Sequence, residues 1–148
     1  HIAEIEVDTE TGEIKVIRVT SVQDVGRIIN ELGLEAQIEG GIVMGLGYAL
    51  SEELRIVDGQ VTNPSFRDYK VPTAPEIPEM DLHFIETDSK TGPLGAKGIA
   101  ELPTIVIAPA VANAVYNAIG IRFMDPPMTP EKVARAIWQR NTGKAAAE

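Results

Sequence analysis

Two places in the chain combine residue types that can do chemistry. The first is Gln37, set among Gly40, Gly41, Gly45 and Gly47. Gln37, Gly41 and Gly45 recur at intervals of four, so a helix puts them on one face. Glycine costs a helix interior about 1 kcal/mol against alanine, so four within eight residues need a compensating reason. The reason is close approach of another element or of a ligand. For any one of these glycines helix-on-helix packing is the plainer reading. The whole cluster beside a lone amide side chain points to a ligand-facing edge.

The second place is the loop 88–101, where Gly92, Gly95 and Gly98 recur every three residues and Lys97 precedes the last of them. Such a loop can turn backbone N–H groups toward an anion. It is not a Walker loop, because no Ser or Thr follows Lys97. Glu101 ends the loop beside Leu102 and Pro103, at the entry to an apolar run. A carboxyl among apolar neighbours is pushed toward its neutral form and can act as general base or acid. An exposed glutamate favoured by a helix dipole is the other reading, and both stay open here. Asp24 and Arg27 flank Gly26 and are expected to pair or to cap. His83 alternates with Leu82 and Phe84 in a strand, facing solvent or a neighbour. It has no convincing partner for a Ser/His/Asp set.

Composition excludes other chemistries. The 148 residues contain no cysteine, which removes disulfides, thiolate zinc sites, chain-borne iron–sulfur clusters and a cysteine nucleophile. Two histidines, His1 and His83, are too few for a typical zinc site, so no protein-held metal is expected. A net charge of -9 opposes binding to nucleic acid or to an anionic membrane surface. Residues 1–58 hold 12 acids and 4 bases, so most of that charge lies in the first part. No membrane-spanning or signal segment is expected, and a cytoplasmic location is expected.

The elements that must position these residues are readable in outline. Ala3, Ile5 and Val7 alternate with Glu4, Glu6 and Asp8, the period of a strand. A turn at Gly12 leads to a second strand over 13–22, whose alternation slips at Ile17 and Val19. Residues 24–34 are transitional. Residues 35–53 read as a helix with Ile38, Ile42, Leu46 and Leu50 as its apolar stripe. Asp58-Gly59 marks a tight turn. The proline-rich stretch 63–79 reads as an extended connection hugging the surface, anchored by Phe66 and Tyr69. A third strand is expected at about 81–87 and helices at 104–119 and 129–140. Thr129 and Pro130 make a helix start, and Gly120 makes a helix stop. Trp138 is expected to cover an edge. A tail over 141–148 is expected to fray. The class is α+β: a small, mostly antiparallel sheet with two or three helices packed on it.

Seven short segments, in order over residues 1–140, carry a family resemblance. Glu4 to Asp8 with Thr11-Gly12 resembles an "EVEVDxxTG" hairpin. Ala36-Gln37-Ile38-Glu39-Gly40-Gly41 with Gly45 and Gly47 resembles "GQxEGG…GxG". Gly92 to Glu101 resembles "GPxGAKGxGE". Asp24 to Asn30, Asp68 to Thr73, Ala110 to Ala114 and Pro127 to Glu131 add four more. Together these resemble the molybdenum hydroxylases, the xanthine dehydrogenase/aldehyde oxidase family, in the C-terminal part of the molybdopterin-binding large subunit.

The resemblance implies a molybdopterin cofactor, in its cytosine dinucleotide form, whose own dithiolene holds the metal. It implies hydroxylation of a heterocycle or aldehyde with oxygen from water, and electrons leaving through iron–sulfur and FAD partners. Glu101 aligns with that family's general base and Gln37 with its pterin-side glutamine. Gly40, Gly41, Gly95, Lys97 and Gly98 would line the cofactor side. Ala36 and Ala100 depart from the pattern, standing where the family has glycine. The chain is then a fragment or split subunit, dependent on the rest of the large subunit and inactive alone. The alternative is a non-catalytic structural or partner-binding module that keeps the fold.

Overall fold

The structure, a computed structural model, describes residues 1–143. The first strand, β1 (Ile2–Val7), turns Glu4 and Glu6 to solvent and half-buries Ala3, Ile5 and Val7. The chain reverses at Gly12, whose φ of +77° a side chain would oppose. Asp8 Oδ1 fastens this turn by accepting from the Glu10 and Thr11 amides at 2.8 and 3.0 Å. The return strand, β2 (Ile14–Asp24), pairs antiparallel with β1. Glu4 faces Arg18 but Ile5 faces Val16. Ile17 is therefore the extra residue of a β-bulge, the cause of the slipped alternation.

Helix α1 (Glu31–Leu50) starts four residues before the 35 expected. Asn30 makes the difference: its side chain accepts from the Gly33 amide at 3.1 Å and caps the helix. The buried stripe is Ile38, Ile42 and Leu46, with Ala49 below them. After α1, β3 (Ile56–Val57) and β4 (Gln60–Val61) form a small hairpin around Asp58-Gly59. The buried Asn63 closes its base, donating to the Glu53 carbonyl at 2.7 Å and accepting from the Arg55 amide at 2.8 Å.

The proline-rich stretch that follows is tied down by polar contacts. Tyr69 donates to Glu52 Oε2 at 2.7 Å, and Ser51 donates to the Lys70 carbonyl at 2.9 Å. Phe66 does not anchor it: its side chain is 80% exposed.

Strand β5 (Glu79–Ile85) then lies beside β2, parallel to it, giving the order β1-β2-β5 and a mixed sheet. Parallel neighbours require a crossover, and α1 supplies it. On the solvent face a row of charges runs across the three strands: Glu4 opposite Arg18, Arg18 opposite Glu79. Arg18 Nη2 donates to Glu79 Oε2 at 3.0 Å.

Helix α2 (Leu102–Ile119) buries Ile107, Val111, Val115 and Ile119. It starts two residues before the expected 104, because Pro103 fits the first turn, where its missing N–H is not needed. It stops at Gly120, which adopts φ +68°. Helix α3 (Pro130–Thr142) is capped by Thr129 and buries Val133 and Ile137. Trp138 stays 55% exposed. The tail expected to fray at 141 is still helix at Asn141 and Thr142, and its remainder from 144 lies outside the described residues. One core forms from these buried aliphatics together with Val16, Val19 and Met128. Each such side chain stabilises the fold by about 1.5–3 kcal/mol.

Candidate functional site

The topology brings two connections to one end of the sheet. Strands β2 and β5 run parallel, so the β2–α1 connection (25–30) and the β5–α2 connection (86–101) both leave from their C-terminal ends. In open sheets with helical crossovers, that is the end where ligands bind. The candidates Gly95, Lys97, Gly98 and Glu101 lie on the second connection, and Gln37, Gly40 and Gly41 lie on the helix that follows the first.

The two connections are bonded to each other. The Arg27 amide donates to the Gly95 carbonyl and the Lys97 amide to the Val25 carbonyl, each at 3.0 Å. The Ile28 amide donates to Glu86 Oε1 at 2.8 Å. Gly26 sits at φ +63°, and a Cβ there would stand 2.3 Å from the Gly95 carbonyl oxygen. Only glycine lets the two connections come this close.

Asp24, at the end of β2, gathers the donors of both. Its carboxylate accepts from Lys97 Nζ at 2.7 Å, from the Gly26 amide at 3.1 Å, and from Thr87 Oγ1 at 2.9 and 3.1 Å. The Lys97 ammonium, then the Gly26 N–H and the Thr87 hydroxyl, hold the Asp24 carboxyl below the ordinary range. Asp24 was expected to pair with Arg27 or to cap. It caps Gly26, but its ion partner is Lys97, 73 residues away. Arg27 is exposed because the tight Gly26 turn carries its side chain outward.

The glycine cluster on α1 divides. Gly41 is covered by Pro103, whose Cβ lies 2.9 Å from where a side chain would begin, and Thr104 Oγ1 donates to the Gly41 carbonyl at 3.1 Å. At Gly45 a Cβ would stand 1.9 Å from Ile107 Cγ2 and 2.8 Å from the Thr104 carbonyl oxygen. At Gly47 it would meet Glu52 and Pro72. These three therefore serve packing, which corrects the expectation of one ligand-facing glycine edge. Gly40 is the exception: nothing lies within 4 Å of its absent Cβ, and the same holds at Gly98.

The contacts of Gly41 with Pro103 and of Gly45 with Ile107 show α1 and α2 running in the same direction. Followed toward both N-termini, Gln37 stands one turn before Gly41 on α1 and Glu101 two residues before Pro103 at the head of α2. Gln37 and Glu101 are both exposed, and among the described residues neither side chain takes a hydrogen-bond or ion-pair partner. Glu101 heads α2 without capping it, its carbonyl accepting from the Thr104 and Ile105 amides. The apolar enclosure expected around its carboxyl is absent within this chain: Leu102 and Ile105 are 45% and 65% exposed. Asp24 and Thr87, the residues that organise the loop, were not singled out as site residues from sequence. The short interval between Asp24 and Gly26, an Asx turn, was the available signal.

Comparison with known proteins identifies the family. Residues 1–78 match the family described as the molybdopterin cofactor-binding domain. The chain is 40% identical over 136 residues to the aldehyde oxidoreductase molybdenum-binding subunit of Escherichia coli K12, covering 90% of this chain and 19% of that protein. It is 41% identical over 140 residues to the nicotine 6-hydroxylase large subunit of Paenarthrobacter nicotinovorans, covering 92% of this chain and 17% of that one. Quinoline 2-oxidoreductase from Pseudomonas putida 86 superposes with a TM-score of 0.87 at 33% identity, over 93% of this chain and 18% of its own. The aldehyde oxidoreductase of Desulfovibrio gigas superposes with a TM-score of 0.85 at 33% identity, over 92% and 15%. The chain thus spans about a fifth of the length of the curated relatives it matches.

Proposed function

The chain belongs to the molybdopterin cofactor-binding domain family, and on that premise we propose that it is the general-base-bearing piece of a molybdenum hydroxylase. The observation that carries this reading is at the head of the α1–α2 seam: Gln37 stands one turn before Gly41 and Glu101 two residues before Pro103, both exposed and, among the described residues, without a side-chain partner. The residues fit a flat, polar pterin: Gly40 and Gly98 leave the backbone open to close approach, and Gln37 offers both amide donor and acceptor. Gln37, Gly40 and Gly98 would hold it, in a cytosine dinucleotide form, while Gly41, Gly95 and Lys97 support that surface from behind. When bound, the group supplies the molybdenum centre that takes up the electrons of substrate oxidation. Glu101 Oε accepts the proton released as a water-derived oxygen joins the carbon of a heterocycle or aldehyde.

Enclosure comes from outside the chain. The outer side of α2 carries Leu102, Ile105, Val106 and Tyr116 in the open. We assign this side to contact with the remainder of the molybdenum-binding subunit, with iron–sulfur and flavin units as electron acceptors beyond it. Burial there would give Glu101 the apolar surroundings it lacks alone.

The test is co-expression with the remainder of the subunit, followed by metal and nucleotide analysis and a rate comparison for Glu101→Gln. General-base catalysis contributes about 10²–10⁴-fold, so the variant should retain molybdenum and lose that much in rate. An undiminished rate removes Glu101 from the chemistry. An assembly that carries no molybdenum favours the non-catalytic module instead.

A further inference from the structure

We propose that Asp24 is a positioning residue for Glu101, holding closed the loop from which Glu101 projects. This rests on the reading of Glu101 given above and deepens it. The loop's two stems, Thr87 and Lys97, both end on the one Asp24 carboxylate. One side chain at the end of β2 therefore gathers both ends of an eleven-residue span, while its Oδ1 also accepts from the Gly26 amide at the turn beneath. The paired backbone of 25–27 and 95–97 lies directly under this clasp.

From Lys97 the chain has three residues before Glu101. Gly98 makes no packing contact for a side chain, Ile99 packs against the core, and Ala100 is exposed. Immediately after Glu101, Pro103 lies on Gly41 and Thr104 bonds its carbonyl. Glu101 is thus bracketed between two anchors, one to the sheet through Asp24 and one to α1 through Pro103. The second fixes where α2 starts. The first fixes the direction from which the chain arrives, and so the backbone that aims the carboxylate. Ala100, with narrower backbone freedom than the glycine of the resembled pattern, makes the arrival direction matter more.

The experiment uses the complete molybdenum-binding assembly with Asp24→Asn, Lys97→Met and the double variant. Readouts are molybdenum content, amide hydrogen exchange over residues 86–101, kcat and KM. Asparagine keeps the shape and an acceptor for Gly26 and Thr87, and removes the charge that Lys97 answers. A 1 Å misplacement can cost about 100-fold, so kcat should fall about 10- to 100-fold with KM within about twofold and molybdenum retained. Loop exchange should rise in step, Lys97→Met should match Asp24→Asn, and the double variant should be no worse than either. Three results overturn the proposal: kcat unchanged while the loop opens, molybdenum lost together with activity, or additive losses in the double variant. Glu101→Gln, run in parallel, separates this from failure of the base reading. That failure would show as an active Glu101→Gln enzyme whose loop exchange is normal.

Discussion

The two anchors on either side of Glu101 are built from opposite materials. The seam between α1 and α2 is apolar and close: Pro103 and Ile107 press into Gly41 and Gly45. The clasp between β2 and the 87–98 loop is ionic and half open, with the Asp24 and Lys97 side chains 39% and 38% exposed. Packing of the first kind fixes position and is indifferent to salt and pH. Charge pairing of the second kind contributes modestly to stability, is screened, and depends on protonation. The difference teaches that the start of α2 is set by the core, whereas the path into it is set by a contact that solution conditions can loosen.

The sharpest way to break this contrast is to fill the seam. Gly45→Ala drives a methyl into Ile107 and the Thr104 carbonyl, and Ile107 is a β-branched helical residue with little rotamer freedom. Overpacking of this kind costs about 1–3 kcal/mol and should exceed the gain of about 1 kcal/mol in helix propensity. Urea unfolding should show a lower midpoint with an unchanged slope.

Gly40→Ala, on the same helix but facing open space, should do the reverse. It should stabilise the chain by up to about 1 kcal/mol, yet reduce molybdenum retention in the complete assembly. A variant that loses stability would show the Gly40 surface to be a packing surface after all.

The clasp should answer to smaller perturbations. In 1 M salt, where the screening length is about 3 Å, exchange over residues 88–100 should rise while amides of the seam stay protected. The pH response has a definite sign. Because the folded Asp24 carboxyl is held below its ordinary value, chiefly by Lys97, its contribution is fully present above about pH 4. It is lost as pH falls through the depressed folded value. Loop exchange, corrected for intrinsic rate, should therefore be flat from pH 5 to 8 and rise only in acid. A rise near neutrality would assign the control to another group.

How much of this was legible in the sequence follows the same division. Local features were: the β1 alternation, the Asp58-Gly59 turn, the stripe on α1 and the Thr129 start of α3 rest on neighbours within a turn or two, whereas the slipped alternation at Ile17 needed its partner strand to show it as a bulge. Gln37 and Glu101 stood out because their types are unusual beside glycine and proline. What sequence could not supply was pairing at a distance. The parallel partnership of β2 with β5 joins residues about 60 apart. Nothing in the spacing of Lys97 shows that it meets Asp24. The glycines illustrate the limit best: Gly40 and Gly41 are adjacent and alike in sequence, and only the arrival of Pro103 makes one a packing surface and the other an opening.

The charge row across the sheet has a consequence for solubility. The outer strands β1 and β5 present acids, Glu4, Glu6, Glu79 and Asp81, and the central strand holds the bases Lys15 and Arg18. Arg18 pairs with Glu79, Lys15 stands opposite Glu6, and His83 lies against Asp81 on β5, so the acids outnumber the bases on the two outer strands. An unguarded edge is a template for runaway strand addition. Here like charge at both rims discourages such addition by a second copy.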